Sequence, residues 1–116
     1  MSCPVVHFEI GCQNVEREEH FFAELFGWKM TRSGPSCMID TEAGAGINGH
    51  INSLGHDPGN YTMIYVQVDN LPQYIEKAAG LGGRVVVPPS EIPGVGRFAW
   101  ISDPEGTLVG LFTPKA

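Results

Sequence analysis

The chain has 116 residues, enough for one domain or two small halves sharing a core, and at that size it needs no disulfide staple. Its formal charge is −6 and its seven basic residues are scattered without a run, which removes the electrostatic footprint of a nucleic-acid binder. No segment approaches the roughly 18 consecutive apolar residues of a membrane span, and "MSCPVV" enters a strand with no leader, so we expect a soluble cytoplasmic protein with neither a membrane nor a nucleic-acid partner.

The first predicted element is a strand over 4–10, "PVVHFEI", in which alternation sends His7 and Glu9 to one face and Val6, Phe8 and Ile10 to the other. A helix comes next, within "CQNVEREEHFFAELFG": Asn14 can cap it, Glu16, Glu18 and Glu19 crowd its positive end, and Gly27 can terminate it. Val15, Phe22, Leu25 and Phe26 fall at helical spacing, so this helix covers a sheet, with Phe22 and Leu25 expected in the interface. Strands are predicted near 28–32, 36–41 and 46–52, and "NSLGHDPGN" is a turn-rich link.

The same order then returns. "YTMIYVQV" reads as a strand, "DNLPQYIEKAAGLGG" as a helix capped by Asp69 or Asn70 and ended by Gly82 or Gly83, and strands are predicted near 84–88, 96–102 and 107–113. Setting Ile10 against Val68 aligns "VHFEI" with "IYVQV", so His7 and Glu9 correspond to Tyr65 and Gln67. The expected architecture is therefore α+β, one domain over 1–116 made of two tandem β-α-β-β-β modules, about 4–52 and 60–114. With a helix on the outer face of each sheet, the opposite face curls into a central cup lined by His7, Glu9, Tyr65 and Gln67.

Other features have plainer explanations. "GAGING", 44–49, matches GxGxxG, but the adjoining "HINSLGHDPG" cannot open a helix, so the match does not read as a dinucleotide site. The sequence shows no GxSxG elbow and no GxxxxGK stretch, which removes support for acyl and phosphoryl transfer. His20 reads as a helix-surface residue, His56 as a loop residue, and Trp28 and Trp100 as packing residues. Cys3, Cys12 and Cys37, odd in number and without CxxC spacing, read as reduced thiols with no assigned role. "EIPGVGR", 91–97, has the composition of a lid and carries Arg97, a base suited to an anionic substrate group.

The paired modules, with "VVHFEI", "FFAELFGW", "GING" and "IPGVGRFAWISDPEGTLVGLF", resemble the vicinal oxygen chelate superfamily of glyoxalases, bleomycin-resistance proteins and extradiol dioxygenases, across nearly all of 4–113. The resemblance is nearest to small bacterial lactoylglutathione lyase-related proteins. It implies metal-ligand positions at His7 and, in the second module, at Tyr65 and Gly110, with Asn48 or His50 in the first. Two of these are not ligand types, so no cofactor is expected; a divalent metal, if bound, would be held by His7, Glu9 and His50, a set suited to iron or manganese.

Proton chemistry or binding remains. In the enzyme reading, His7 and Glu9 are catalytic in a lyase- or isomerase-type proton transfer, and Asn48, His50, Tyr65, Gln67 and Arg97 bind a small-molecule substrate. The alternative is a non-catalytic small-molecule binder of the bleomycin-resistance type. Open sheet edges, and the habit of the relatives that the chain resembles, point to a homodimer in either case.

Overall fold

The computed structural model describes residues 2–116 and contains eight strands and two helices, β-α-β-β-β twice over, which makes the fold α+β. The chain divides into two compact units, residues 7–63, and residues 64–116 together with the segment before His7.

The first unit holds β1 (Val5–Gly11), α1 (Val15–Phe26), β2 (Lys29–Ser33), β3 (Ser36–Asp40) and β4 (Gly49–Asn52). β1 runs parallel to β4, and β4–β3 and β3–β2 are antiparallel. α1 begins where the Asn14 side chain accepts from Arg17 N–H, 3.0 Å, and ends where Gly27, at φ 72°, donates to Ala23 O. It packs on β2, β3 and β4 over a core of Cys12, Cys37, Ile39 and Ile51, with Phe8, Val15, Phe22 and Trp28 against it.

One expectation about α1 is corrected. Phe22 is half-buried, stacked on Phe26 and Trp28, but Leu25 is 57% exposed. At about 100° per residue, Leu25 lies roughly 80° round the helix from Val15, on the flank of the inward stripe rather than within it. The thiols of Cys12 and Cys37 are buried, which raises their pKa values and leaves them as small apolar side chains.

The second unit is built from β5 (Tyr61–Gln67), whose first three residues belong to the first unit, α2 (Leu71–Gly80), β6 (Arg84–Ile92), β7 (Gly96–Ser102) and β8 (Leu108–Pro114). The pairing repeats the first plan: β5 is parallel to β8, and β8–β7 and β7–β6 are antiparallel. Asn70 rather than Asp69 caps α2, accepting from Gln73 N–H at 3.1 Å. β6 runs past the expected end at 88 and through Pro88 and Pro89, which an edge strand tolerates because its outward N–H groups have no ladder partner to lose. Val68, Leu71, Ala99 and Leu111 form the core, and the Asp103 carboxylate closes the "DPEG" turn by accepting from the N–H of Glu105 and Thr107. The N-terminal segment completes this unit: Pro4 O accepts from Gln67 N–H at 2.9 Å, and Cys3 Sγ donates to the Tyr74 hydroxyl at 3.3 Å.

Candidate active site

The parallel register of β1 and β4 sets Glu9 directly beside His50 and Ile10 beside Ile51, so the polar pair shares one face and the apolar pair the other. Gly49 permits this closeness, since a Cβ there would lie 2.4 Å from Phe8 O. His7, two residues before Glu9, joins the same face.

The three side chains form a line. His7 Nε2 lies 2.7 Å from His50 Nδ1, and His50 Nε2 lies 3.2 Å from Glu9 Oε1. The other Glu9 oxygen, Oε2, accepts a hydrogen bond from the Tyr61 hydroxyl. Glu9 is only 1% exposed, yet among the described residues no buried side-chain polar atom lacks a partner. A carboxylate so deeply buried is tolerated because donors reach both of its oxygens.

The protons can be assigned along this line. With Glu9 ionised, His50 Nε2 carries a hydrogen to donate; a neutral His50 then accepts at Nδ1, and His7 donates from Nε2. That leaves the His7 lone pair on Nδ1. Burial first, and then the neighbouring His50, pull His7 down from 6.5 to about 4 against the opposing pull of Glu9, so His7 is neutral at pH 7.

A divalent ion does not fit the set in this arrangement. His50 turns its two ring nitrogens to different partners, Nδ1 to His7 and Nε2 to Glu9, so the donors lie in series instead of converging on a point. Among the described residues no group of three or more His, Cys, Asp and Glu side chains is placed to hold a metal. The corresponding positions of the second unit are occupied otherwise. Tyr65 lies beside Gly110 in the β5–β8 register, a Cβ on Gly110 would come within 2.4 Å of its ring, and the Trp100 indole N–H donates to its hydroxyl at 2.8 Å.

The structure thus brings His7, Glu9 and His50 together. Asn48 instead closes the loop before β4, its Oδ1 accepting from the backbone N–H and the hydroxyl of Thr41 at 3.0 and 3.1 Å. Tyr65, Gln67 and Arg97 belong to the second unit: Tyr65 is buried, Gln67 half-buried, and Arg97 exposed on the β6–β7 hairpin opposite Glu91. His20 and His56 are exposed. Trp28 packs among Phe8, Phe22 and Phe26, and buried Trp100 holds Tyr65.

Sequence reasoning missed Tyr61. The signal was present, because Tyr61 alternates in phase with Tyr65 and Gln67 on a strand already predicted.

The superfamily described as glyoxalase/bleomycin resistance protein/dioxygenase matches residues 5–111. The chain belongs to that superfamily. Over 55 residues it is 42% identical to CFP32 of Mycobacterium tuberculosis (strain CDC 1551 / Oshkosh), a protein named as a glyoxylase, covering 47% of this chain and 21% of that one. It is 26% identical over 123 residues to the anthracycline biosynthesis protein DnrV of Streptomyces peucetius, covering 90% of this chain and 45% of that one. The chain therefore matches less than half the length of these curated relatives. Among solved structures, methylmalonyl-CoA epimerase from Mycobacterium tuberculosis aligns with a TM-score of 0.73 at 12% identity, over 97% of this chain and 88% of that one. A superfamily member from Vibrio splendidus 12B01 aligns at 0.66 and 14% identity, over 97% and 99%. At such identities the likeness is one of fold.

Proposed function

We propose that the protein is a metal-independent acid–base enzyme that moves a proton on a small oxygenated molecule, in a lyase- or isomerase-type reaction. The observation that carries this reading is the series His7–His50–Glu9: a neutral histidine hydrogen-bonded through a second histidine to a buried carboxylate. In the proposed step His7 Nδ1 takes a proton from the substrate while its Nε2 proton passes to His50 Nδ1. Positive charge then rests on His50, between His7 and the ionised Glu9, where Coulomb attraction in a water-poor site stabilises it. Reversal of the shift returns the proton to the substrate, as an isomerase requires, or to a leaving oxygen, as a lyase requires.

Support also comes from the company the fold keeps, which at 15% identity includes a methylmalonyl-CoA epimerase in complex with methylmalonyl-CoA. In our reading the substrate is a carbon acid next to a carbonyl. The test is hydrogen–deuterium exchange at such carbons, monitored by NMR in D2O with chelator present, over a panel of α-hydroxycarbonyl compounds and acyl thioesters. Exchange by the native protein and its loss in His7→Asn is the expected outcome. Absence of exchange on every panel member, with tight binding of a planar aromatic compound, would replace this reading with that of a non-catalytic small-molecule binder.

We further propose a cytoplasmic homodimer. The exposed Val85 and Val86 on the edge strand β6, and Val95 in the turn after it, leave apolar surface that symmetric association would cover, and all three cysteines are free thiols. Sedimentation showing only monomer at micromolar concentration would exclude the dimer.

A further inference from the structure

Tyr61 reaches Glu9 from a seat that one glycine provides. Gly11 comes two positions after Glu9 on β1 and therefore lies on the same face. The Tyr61 ring occupies the space a side chain at position 11 would fill: a Cβ on Gly11 would come within 1.8 Å of ring carbon Cε1, 2.0 Å of Cδ1 and 2.4 Å of Cζ. Three ring carbons so close to one point mean that the ring covers the glycine, and no rotation about a terminal bond would clear it. From there the phenol hydroxyl donates to Glu9 Oε2, while His50 engages Oε1.

We propose that Gly11 and Tyr61 act together as a positioning device for the proton relay, with Gly11 seating the ring and Tyr61 fixing the rotation of the Glu9 carboxylate so that Oε1 meets His50. This inference rests on the relay of the proposed function, but it concerns residues that the relay's chemistry does not itself require. A carboxylate held at one oxygen can turn about its terminal bond, whereas one held at both oxygens has a single orientation. His50 takes its own orientation from that carboxylate, and His7 takes its from His50. Loss of the phenol hydroxyl removes a donor from the far oxygen, and any side chain at position 11 displaces the phenol.

The test needs no substrate. Imidazole N–H protons held in buried hydrogen bonds give low-field proton resonances that exchange slowly with water, and assignment with 15N-labelled histidine reports the His7–His50 and His50–Glu9 bonds directly. Tyr61→Phe keeps the ring and removes the donor, while Gly11→Ala displaces the ring. We expect both variants to lose or broaden these resonances, and the double variant to do no more than either alone, with most backbone amide signals unchanged in Tyr61→Phe. Retention of sharp low-field signals in Tyr61→Phe would overturn the proposal, as would an effect of Gly11→Ala absent from Tyr61→Phe, because the glycine would then serve packing alone. Should Gly11→Ala fail to fold, Tyr61→Phe decides by itself. If the resonances collapse as expected while proton exchange on the substrate panel persists, the positioning role stands and the catalytic reading of the relay falls.

Discussion

Tyr65 covers Gly110 so closely that the two positions work as one volume: an added Cβ at 110 would sit 2.4 Å from the ring, and Trp100 N–H holds the phenol oxygen in place. Gly110→Ala should therefore destabilise the protein by about 2–3 kcal/mol through overpacking. On a Tyr65→Ala background the same substitution should cost less than about 1 kcal/mol, because the space has opened. Urea unfolding of the four members of this cycle measures the coupling; equal costs on both backgrounds would show that the ring yields freely.

Glu9→Gln tests the buried carboxylate. Its two oxygens accept from His50 and Tyr61, and an amide offers one acceptor where two are needed, leaving an N–H2 facing a donor. At 1% exposure there is no room for the hydration that would soften the loss, so we expect about 2–4 kcal/mol of destabilisation. His7→Asn, at a half-buried position, should cost less than Glu9→Gln. Thermal unfolding of the two variants side by side checks the ranking.

His7 should titrate far below an ordinary histidine. Its pKa falls from 6.5 to about 4 because burial and His50 disfavour the charged ring, so the unfolded chain takes up this proton at a higher pH than the folded one. The resulting contribution to stability is complete above pH 6.5 and fades as the pH drops through the window down to about 4. Discounted for solvent screening at a half-exposed ring, it amounts to about 2 kcal/mol. NMR titration of His7 provides the check, and His50→Gln should move its midpoint upward by removing the second-largest cause of the depression.

On α1, Phe22→Ala should cost about 2–3 kcal/mol, since a half-buried ring stacked on Phe26 and Trp28 leaves only a partial cavity. Leu25→Ala should stay within about 0.5 kcal/mol, as exposed positions do. Chemical denaturation resolves a difference of that size.

Element order was legible because each helix advertises its ends. Asn14 and Gly27 bracket α1 as capping chemistry requires, and strand alternation placed His7 and Glu9 on one face, to which the β1–β4 register adds His50. Leu25 was misplaced because periodicity defines a stripe but not which of its flanks meets the sheet. Tyr61 lies outside the aligned repeat that pairs Glu9 with Gln67, and a hydrogen bond across 52 residues of sequence leaves no local pattern. The depth at which Glu9 lies was equally invisible. A strand shows which way a carboxylate points, but only the assembled fold shows how much water reaches it.

The attachment of the N-terminal segment to the second unit bears on how the chain matures during synthesis. Cys3 meets Tyr74 across 71 residues, and Pro4 meets Gln67, so the opening residues must wait for partners that leave the ribosome much later. Residues 7–63 include every member of the His7–His50–Glu9–Tyr61 series and can begin to organise while the rest of the chain is still being made. β8 emerges after both of these partners and then forms its parallel pair with β5 within the second unit. A nascent chain that has released residues 7–63 but not yet Gln67 and Tyr74 would thus display the relay residues while the N-terminal segment still waits for its partners.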